Sequence, residues 1–255
     1  MPDIITSTAN ARVKAVRELH RHKARRARRE TIIEGPTVFG EFIDAGVIPS
    51  VTLCTPDDIL TIERCTGIGT EPIVVTEAVL ASASDTRSPR SPVAVVPVRP
   101  PQGLRAHDTV ILVDISDPGN LGTMIRSAAA LGWDVAVSGN TAELWSPKTI
   151  RSSAGAHLHT RLIQLADPAE DAAEAGLTTI ATVVAGGARP QRHDAPVALV
   201  VGSEAHGLPA HIVETCDARI TIAMPGGVES LNAAVAASIA MYAMTALDGS
   251  SFPDT

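Results

Sequence analysis

Three short stretches of this 255-residue chain place acid, amide, hydroxyl and guanidinium groups beside glycines, the combination from which ligand-binding turns are built. The first is DPGNLGTMIR, residues 117–126, where Asn120, Gly122 and Arg126 follow the apolar run TVILVDI. On the helix expected there, Gly122, Arg126, Ala129 and Ala130 share one stripe, so the guanidinium stands on a face of small side chains. It is placed to reach a carboxylate in the fold or a phosphate in a ligand. The second stretch is GSEAHG, residues 202–207, with Glu204 between two glycines and His206 read as an exposed turn residue. The third is PGGVESLN, residues 225–232, in which Ser230 is the expected helix cap and Asn232 lies in the first turn.

Several common chemistries are excluded by spacing. The first turn is not G-x-G-x-x-G, has no acidic residue after a second strand in the dinucleotide pattern, and lacks the G-K-[ST] of a P-loop. Gly202-Ser203 has no residue between the glycine and the serine, so it is not a nucleophile elbow. The three cysteines, Cys54, Cys65 and Cys216, show no C-x-x-C spacing, which argues against a zinc site and a disulfide framework and favours a reducing cytoplasm.

The elements that must position these turns are read from apolar runs. TVILVDI, DVAVSG, TIATVVAG, VALVVG and RITIAM have strand length and are continuously apolar, as in a parallel sheet covered on both faces. Ligands in such sheets sit beyond the carboxyl ends of the strands, where the three stretches fall. Upstream, ETIIEG, SVTLCT, PIVVT and VAVVPV alternate with helical patterns and predict a smaller α/β unit. The Pro- and Gly-containing segment at 99–107 separates the two, giving domains at 1–98 and 108–248 and a flexible tail at 249–255. Residues 231–247 are uncharged but Ala-rich, a composition that reads as a helix buried in protein, expected at a subunit interface, rather than a membrane span. Met1–Asn10 has neither the basic start nor the apolar run of a signal peptide, so a cytoplasmic protein is expected.

The net charge of −7 conceals an asymmetry. Arg12, Lys14, Arg17, Arg21, Lys23, Arg25, Arg26, Arg28 and Arg29 lie in one 20-residue stretch with only Glu18 and Glu30 opposing them. Removing these from the chain's 21 basic and 28 acidic residues leaves 12 and 26, so a segment of +7 sits on a body of −14. A basic arm on an acidic body points to a polyanionic partner. The scarcity of aromatics, two Trp, one Tyr and three Phe in the chain, argues against extensive base stacking and favours backbone or shape contacts to nucleic acid.

Together the three stretches resemble the signature of the SpoU/TrmH branch of the SPOUT RNA methyltransferases. Asn120, Gly122 and Arg126 match N-x-G-x-x-x-R; Gly202, Glu204 and Gly207 match G-x-E-x-x-G. Ile222, Met224, Glu229, Ser230, Leu231 and Asn232 match I-x-M followed by E-S-L-N. Ser203, Ala223 and Leu131 stand where the family commonly has Asn, Pro and Phe. The amino-terminal STANARVKAVRELHRHKARRARRETIIEG is similar to the family's ribosomal-protein-like substrate-binding domain, and the whole pattern resembles the thiostrepton-resistance type of ribosomal RNA methyltransferase.

The resemblance implies a parallel α/β domain with a deep trefoil knot, a homodimer, and methyl transfer from S-adenosylmethionine to a ribose 2′-hydroxyl in RNA. Ribosomal RNA, 23S above all, is the favoured substrate and transfer RNA the alternative. It places the cofactor at Val183, Val184, Gly202, Ile222, Met224 and Leu231, and the catalytic set at Arg126, Asn120, Glu204, Ser230 and Asn232, with no metal. The nine basic residues of the arm are the expected RNA contacts. Family mechanisms cast the arginine as a base, but guanidinium groups stay protonated in proteins, which favours phosphate binding and alkoxide stabilisation for Arg126. Two other readings are a non-catalytic RNA-binding protein on this scaffold and an unrelated α/β hydrolase or nucleotide-binding enzyme.

Overall fold

The computed structural model describes residues 4–245; the 249–255 tail lies outside them. In chain order the first elements are α1 (Ala11–Glu18), α2 (His22–Arg28), β1 (Glu30–Glu34), α3 (Pro36–Asp44), β2 (Val51–Cys54), α4 (Ile59–Gly67), β3 (Ile73–Val74), α5 (Glu77–Ala83) and β4 (Val93–Pro97). There follow β5 (Thr109–Val113), α6 (Pro118–Leu131), β6 (Asp134–Ser138), α7 (Pro147–Ser152), β7 (Leu162–Gln164), α8 (Pro168–Glu174), β8 (Thr178–Thr182), β9 (Val197–Val201), α9 (Ala210–Thr215), β10 (Ala218–Ile220) and α10 (Ala233–Met244). The described residues form two compact units, one reaching Pro100 and including Glu143–Leu158, the other comprising Pro101–Ala142 and the described chain after Leu158.

The first unit has a four-stranded sheet in the order β1-β4-β2-β3, with β4 antiparallel to both neighbours and β2 parallel to β3. Val13, Val16 and Leu19 of the α1 region, Ile32, Leu53 and Val95 of the sheet, and Val79 and Leu80 of α5 form its core. The stretch 143–158, which the sequence reading counts with the downstream domain, belongs to this unit because its polar groups are used here. The Thr31 hydroxyl donates to the Trp145 carbonyl at 2.7 Å, and Arg25 pairs with Glu143.

The basic run forms two helices rather than one. The chain leaves helical geometry between them, and Arg25 Nη1 donates to the carbonyls of Leu19 and His20 at 2.7 and 2.8 Å, capping the end of α1 from the following helix.

The second unit is a six-stranded, wholly parallel sheet in the order β10-β8-β9-β5-β6-β7. Every residue of β5, β6 and β9 is buried, as expected for apolar strands covered on both faces. Helix α6 packs against α10, and Ser238 donates to Ser127 across them at 2.7 Å. Three sequence expectations change. Strand β7 is additional, a three-residue strand too short for its apolar pattern to register. TIATVVAG ends as a strand at Thr182, and RITIAM ends at Ile220, so Val183, Val184, Ile222 and Met224 lie in loops. Helix α10 is not covered all round: Val235, Ile239 and Tyr242 are exposed. Among the described residues no helix is long and apolar enough to cross a membrane.

In the first unit His157 is buried, its Nε2–H donating to the Leu144 carbonyl at 2.6 Å and Nδ1 lying 2.8 Å from the Ser153 hydroxyl. Burial disfavours the imidazolium and lowers its pKa to about 4. The unfolded chain therefore binds the extra proton first. This contribution to stability is complete above the ordinary histidine value of about 6.5 and is lost as pH falls towards about 4. Replacing His157 by Phe is expected to cost about 1–3 kcal/mol at pH 7 through the unpaired Leu144 carbonyl. It should also flatten the pH dependence between those values; equal slopes for both proteins in thermal unfolding from pH 7 to 4 would refute the assignment.

Candidate functional site

The crevice follows from strand order. Strands β5 and β9 are neighbours, but β5 connects through α6 to β6 on one side, while β9 connects through α9 to β10 on the other. Diverging connections open a space beyond the carboxyl ends of the two strands. The DPGN turn after β5 and the GSEAHG turn after β9 border it.

Helix α6 begins where the Asp117 carboxylate accepts from the Asn120 N–H at 2.9 Å, a cap that fixes the Asn120 side chain at the helix entrance. From there Asn120 Nδ2 donates to Glu204 Oε1. Asn232 Nδ2 lies 3.1 Å from that same Oε1 and 3.1 Å from Asn120 Oδ1. Glu204 Oε2 has no hydrogen-bond partner among the described residues and can accept from a ligand.

Asn232, rather than Ser230, caps α10: its Oδ1 accepts from the N–H groups of Ala234 and Val235 at 2.9 and 3.2 Å. The amide does two tasks a hydroxyl cannot combine at this position, accepting from the helix with oxygen while donating to Glu204 with nitrogen.

An apolar cleft lies on one side of Glu204. All six positions expected to hold a cofactor, Val183, Val184, Gly202, Ile222, Met224 and Leu231, line it, with Thr182, Ala233 and Ala236 besides. Ser230 is exposed and belongs to this lining rather than to the hydrogen-bonded cluster. Gly202 has no room for a side chain, since a Cβ there would stand 2.2 Å from the Gly207 carbonyl carbon and 2.3 Å from Leu208 N. At Gly187 a Cβ would stand 2.5 Å from the carbonyl carbon of Ile220. Both are places where two chain segments cross at backbone distance.

On the other side is a more polar depression bordered by Asp114, Ser116, Asn140, Glu204 and His206. Sequence reasoning misses Asp114, whose φ of 56° is unusual for a residue other than glycine. Its Oδ1 accepts from Asn140 N–H at 2.7 Å, holding the loops after β5 and β6 together.

Arg126 is exposed and makes neither an ion pair nor a hydrogen bond with any described residue. Of the two partners the sequence allows it, a carboxylate within the fold is therefore absent among the described residues. In the basic run, Arg25 is buried at 6% exposure and committed to Glu143, with Nε 3.0 Å from Oε1, which corrects its expected place among RNA contacts. Arg28 pairs with Glu30 at 2.8 Å. Arg12, Lys14, Arg17, Arg21, Lys23, Arg26 and Arg29 are exposed.

Known proteins resemble this chain over nearly its whole length. The profile of the SpoU rRNA Methylase family matches residues 108–242, and that of the MRM3-like substrate binding domain matches residues 10–94. The chain is 32% identical to the 23S rRNA (guanosine(2553)-2′-O)-methyltransferase RlmP of Bacillus subtilis, over 93% of this chain and 97% of that one. The AdoMet-bound rRNA methyltransferase of Sinorhizobium meliloti superposes with a TM-score of 0.81 at 28% identity, covering 94% of this chain and 96% of that one. The SpoU methyltransferase AviRb of Streptomyces viridochromogenes, in complex with AdoMet, gives 0.81 at 26% identity, over 91% and 96%.

The backbone crossing at Gly202 generates a sharp expectation. Gly202→Ala should cost about 1–3 kcal/mol or more, because the groups it meets are backbone and cannot turn away. Gly226→Ala, where nothing lies within 4 Å, should leave stability unchanged. Urea denaturation of the two variants checks this, and equal midpoints would contradict it.

Proposed function

The chain belongs to the SpoU rRNA methylase family, which makes it an S-adenosylmethionine-dependent RNA ribose 2′-O-methyltransferase, and we propose that its acceptor lies in 23S ribosomal RNA. The likeness to a 23S rRNA methyltransferase along nearly the whole chain supports that acceptor, and the observation that carries the transferase reading is the Glu204 cluster at the edge of the apolar cleft: a carboxylate with one oxygen loaded by two amides and the other available, beside a cavity for an apolar ligand.

The cleft suits the cofactor. Val183, Ile222, Met224 and Leu231 offer apolar surface, and the loops after β8 and β10 offer backbone groups that strand pairing does not consume. When bound, S-adenosylmethionine supplies an electrophilic methyl group on a sulfonium. The chain's own residues must then hold the ribose in line and manage the hydroxyl proton. In this proposal Glu204, kept in place by Asn120 and Asn232, orients the acceptor through its open oxygen, and Ser230 completes the polar lining. Arg126, with no partner in its own chain among the described residues, binds the phosphate beside the target ribose and stabilises the developing alkoxide.

The exposed cations of the α1–α2 region position the RNA through its backbone. The exposed stripe Val235, Ile239 and Tyr242 on α10 supports a homodimer formed through that face. The knot implied by the sequence resemblance and a cytoplasmic location belong to the same proposal.

Transfer of labelled methyl from S-adenosylmethionine to purified ribosomal and transfer RNAs, followed by alkaline digestion, tests the reading. Label in alkali-resistant dinucleotides of 23S RNA is expected. Label confined to bases would overturn the ribose assignment, and label confined to transfer RNA would move the acceptor there. Arg126→Lys should lower kcat by about 10²–10³-fold, because an ammonium cannot reproduce a two-pronged contact, while leaving calorimetric S-adenosylmethionine affinity unchanged. Near-normal turnover would remove Arg126 from this role.

A further inference from the structure

We infer that His20, Glu34 and Asp85, in the first unit, form a binding site for one divalent first-row transition-metal ion of the zinc and cobalt class. One ring nitrogen of His20 and one carboxylate oxygen from each acid lie within 4.8 Å of one another. Three segments meet there: the turn after α1, the end of β1 and the loop after α5.

Two kinds of observation support a ligand rather than a settled ion pair. The first is unmet bonding capacity. Glu34 is nearly fully buried, with 4% of its side chain exposed, yet its Oε1 has no hydrogen-bond partner in the described structure. His20 Nδ1 is likewise buried and without a hydrogen bond. Only four such side-chain atoms occur among the described residues, and two of them fall in this one cluster. Buried polar atoms are rarely left unpaired, because losing water without gaining a partner is costly.

The second is orientation. His20 Nε2 lies 2.7 Å from the Ala83 carbonyl, which can only accept, so Nε2 carries a proton and in the neutral ring Nδ1 presents its lone pair. A histidine whose other nitrogen is anchored to a backbone carbonyl is the arrangement that metal sites use to fix tautomer and ring direction. Nδ1 stands 3.7 Å from Asp85 Oδ2, near the separation of about 3.4 Å expected for two ligands on one tetrahedral zinc.

The surrounding charges fit a dication. Arg151 lies 3.4 Å from Glu34 Oε2 and 3.1 Å from Asp85 Oδ1, and the Ser84 hydroxyl donates to Glu34 Oε2 at 2.9 Å. These contacts use Glu34 Oε2 and Asp85 Oδ1, so Glu34 Oε1 and Asp85 Oδ2 keep lone pairs that no hydrogen bond from a described residue takes up. Arg151 offsets one carboxylate, so the cluster keeps one net negative charge. The imidazole selects against magnesium and calcium, which prefer all-oxygen sites. Three protein ligands leave the fourth position to water, and the bound ion would clip the three segments together.

Metal-stripped full-length protein titrated with Co²⁺ tests the site. One equivalent should bind with the visible absorption of a protein-bound ion, be displaced by Zn²⁺, and raise the Tm, whereas Mg²⁺ should do none of these. His20→Ala and Asp85→Asn should each weaken Co²⁺ binding by at least about 10–100-fold. Asp85 is exposed, so its variant decides the matter even if the His20 variant fails to fold. Absence of a cobalt spectrum and of a Tm shift in the wild-type protein, or binding by Asp85→Asn as tight as wild type, would overturn the inference.

Discussion

One oxygen atom, Glu204 Oε1, ties together parts of the chain that are far apart in sequence. It accepts from Asn120, 84 residues before it, and from Asn232, 28 residues after it. Both bonds lie in exposed surroundings where water competes, so this atom orders three loops that carry little apolar packing of their own more than it stabilises the fold. The same asparagines begin α6 and α10 or stand in their first turns, so the cluster also sets where both helices start. The helices cover one face of the parallel sheet. Position of the site and packing of the sheet are thus one problem, solved at the switch between β5 and β9.

Most of this second unit is legible from sequence because it obeys local rules. Continuous apolar runs give β5, β6 and β9, and the resemblance to the SpoU/TrmH motifs singles out Asn120, Glu204 and Asn232. What escapes is what tertiary contact decides. The termination of β8 at Thr182 and β10 at Ile220 cannot be read from runs that stay apolar for several more residues. Those extra residues instead supply the cleft, so the loss of strand pairing and the gain of a binding surface share a cause. Asp114 escapes for another reason: its left-handed backbone is held by a hydrogen bond from Asn140, 26 residues away. No local pattern contains that partner.

The basic run shows where a charge count misleads. Net charge treats its nine cations alike, but Arg25 is consumed inside the fold, bridging two backbone carbonyls and Glu143. A buried guanidinium without its carboxylate would be strongly destabilising, so this arginine answers to folding rather than to a polyanion. The position was readable only as one more member of a helix face. Its distinction comes from Glu143, 118 residues away, in a stretch the sequence reading placed in the other domain. The remaining exposed cations still give the unit an electropositive edge against an acidic chain, which is the quantity that matters for RNA encounter.

Glu204 also separates two depressions of opposite chemistry, and that contrast argues for which molecule goes where. The side lined by Val183, Ile222, Met224 and Leu231 has few polar side chains, so a ligand there is recognised by shape and by backbone groups. The side bordered by Asp114, Ser116, Asn140 and His206 offers hydrogen-bonding side chains and suits a hydroxyl-rich ligand such as a nucleotide. A residue in the left-handed region costs about 1–3 kcal/mol and persists only where its surroundings insist on it. Here the Asn140 N–H holds the Asp114 carboxylate, and Gly139 leaves it room, since a Cβ there would stand 2.3 Å from Asp114 Oδ1. The fold therefore spends strain on the polar side of Glu204 and open backbone on the apolar side. On the proposed function, a ribose hydroxyl entering from the first and oriented by Glu204 would face directly a methyl donor held in the second.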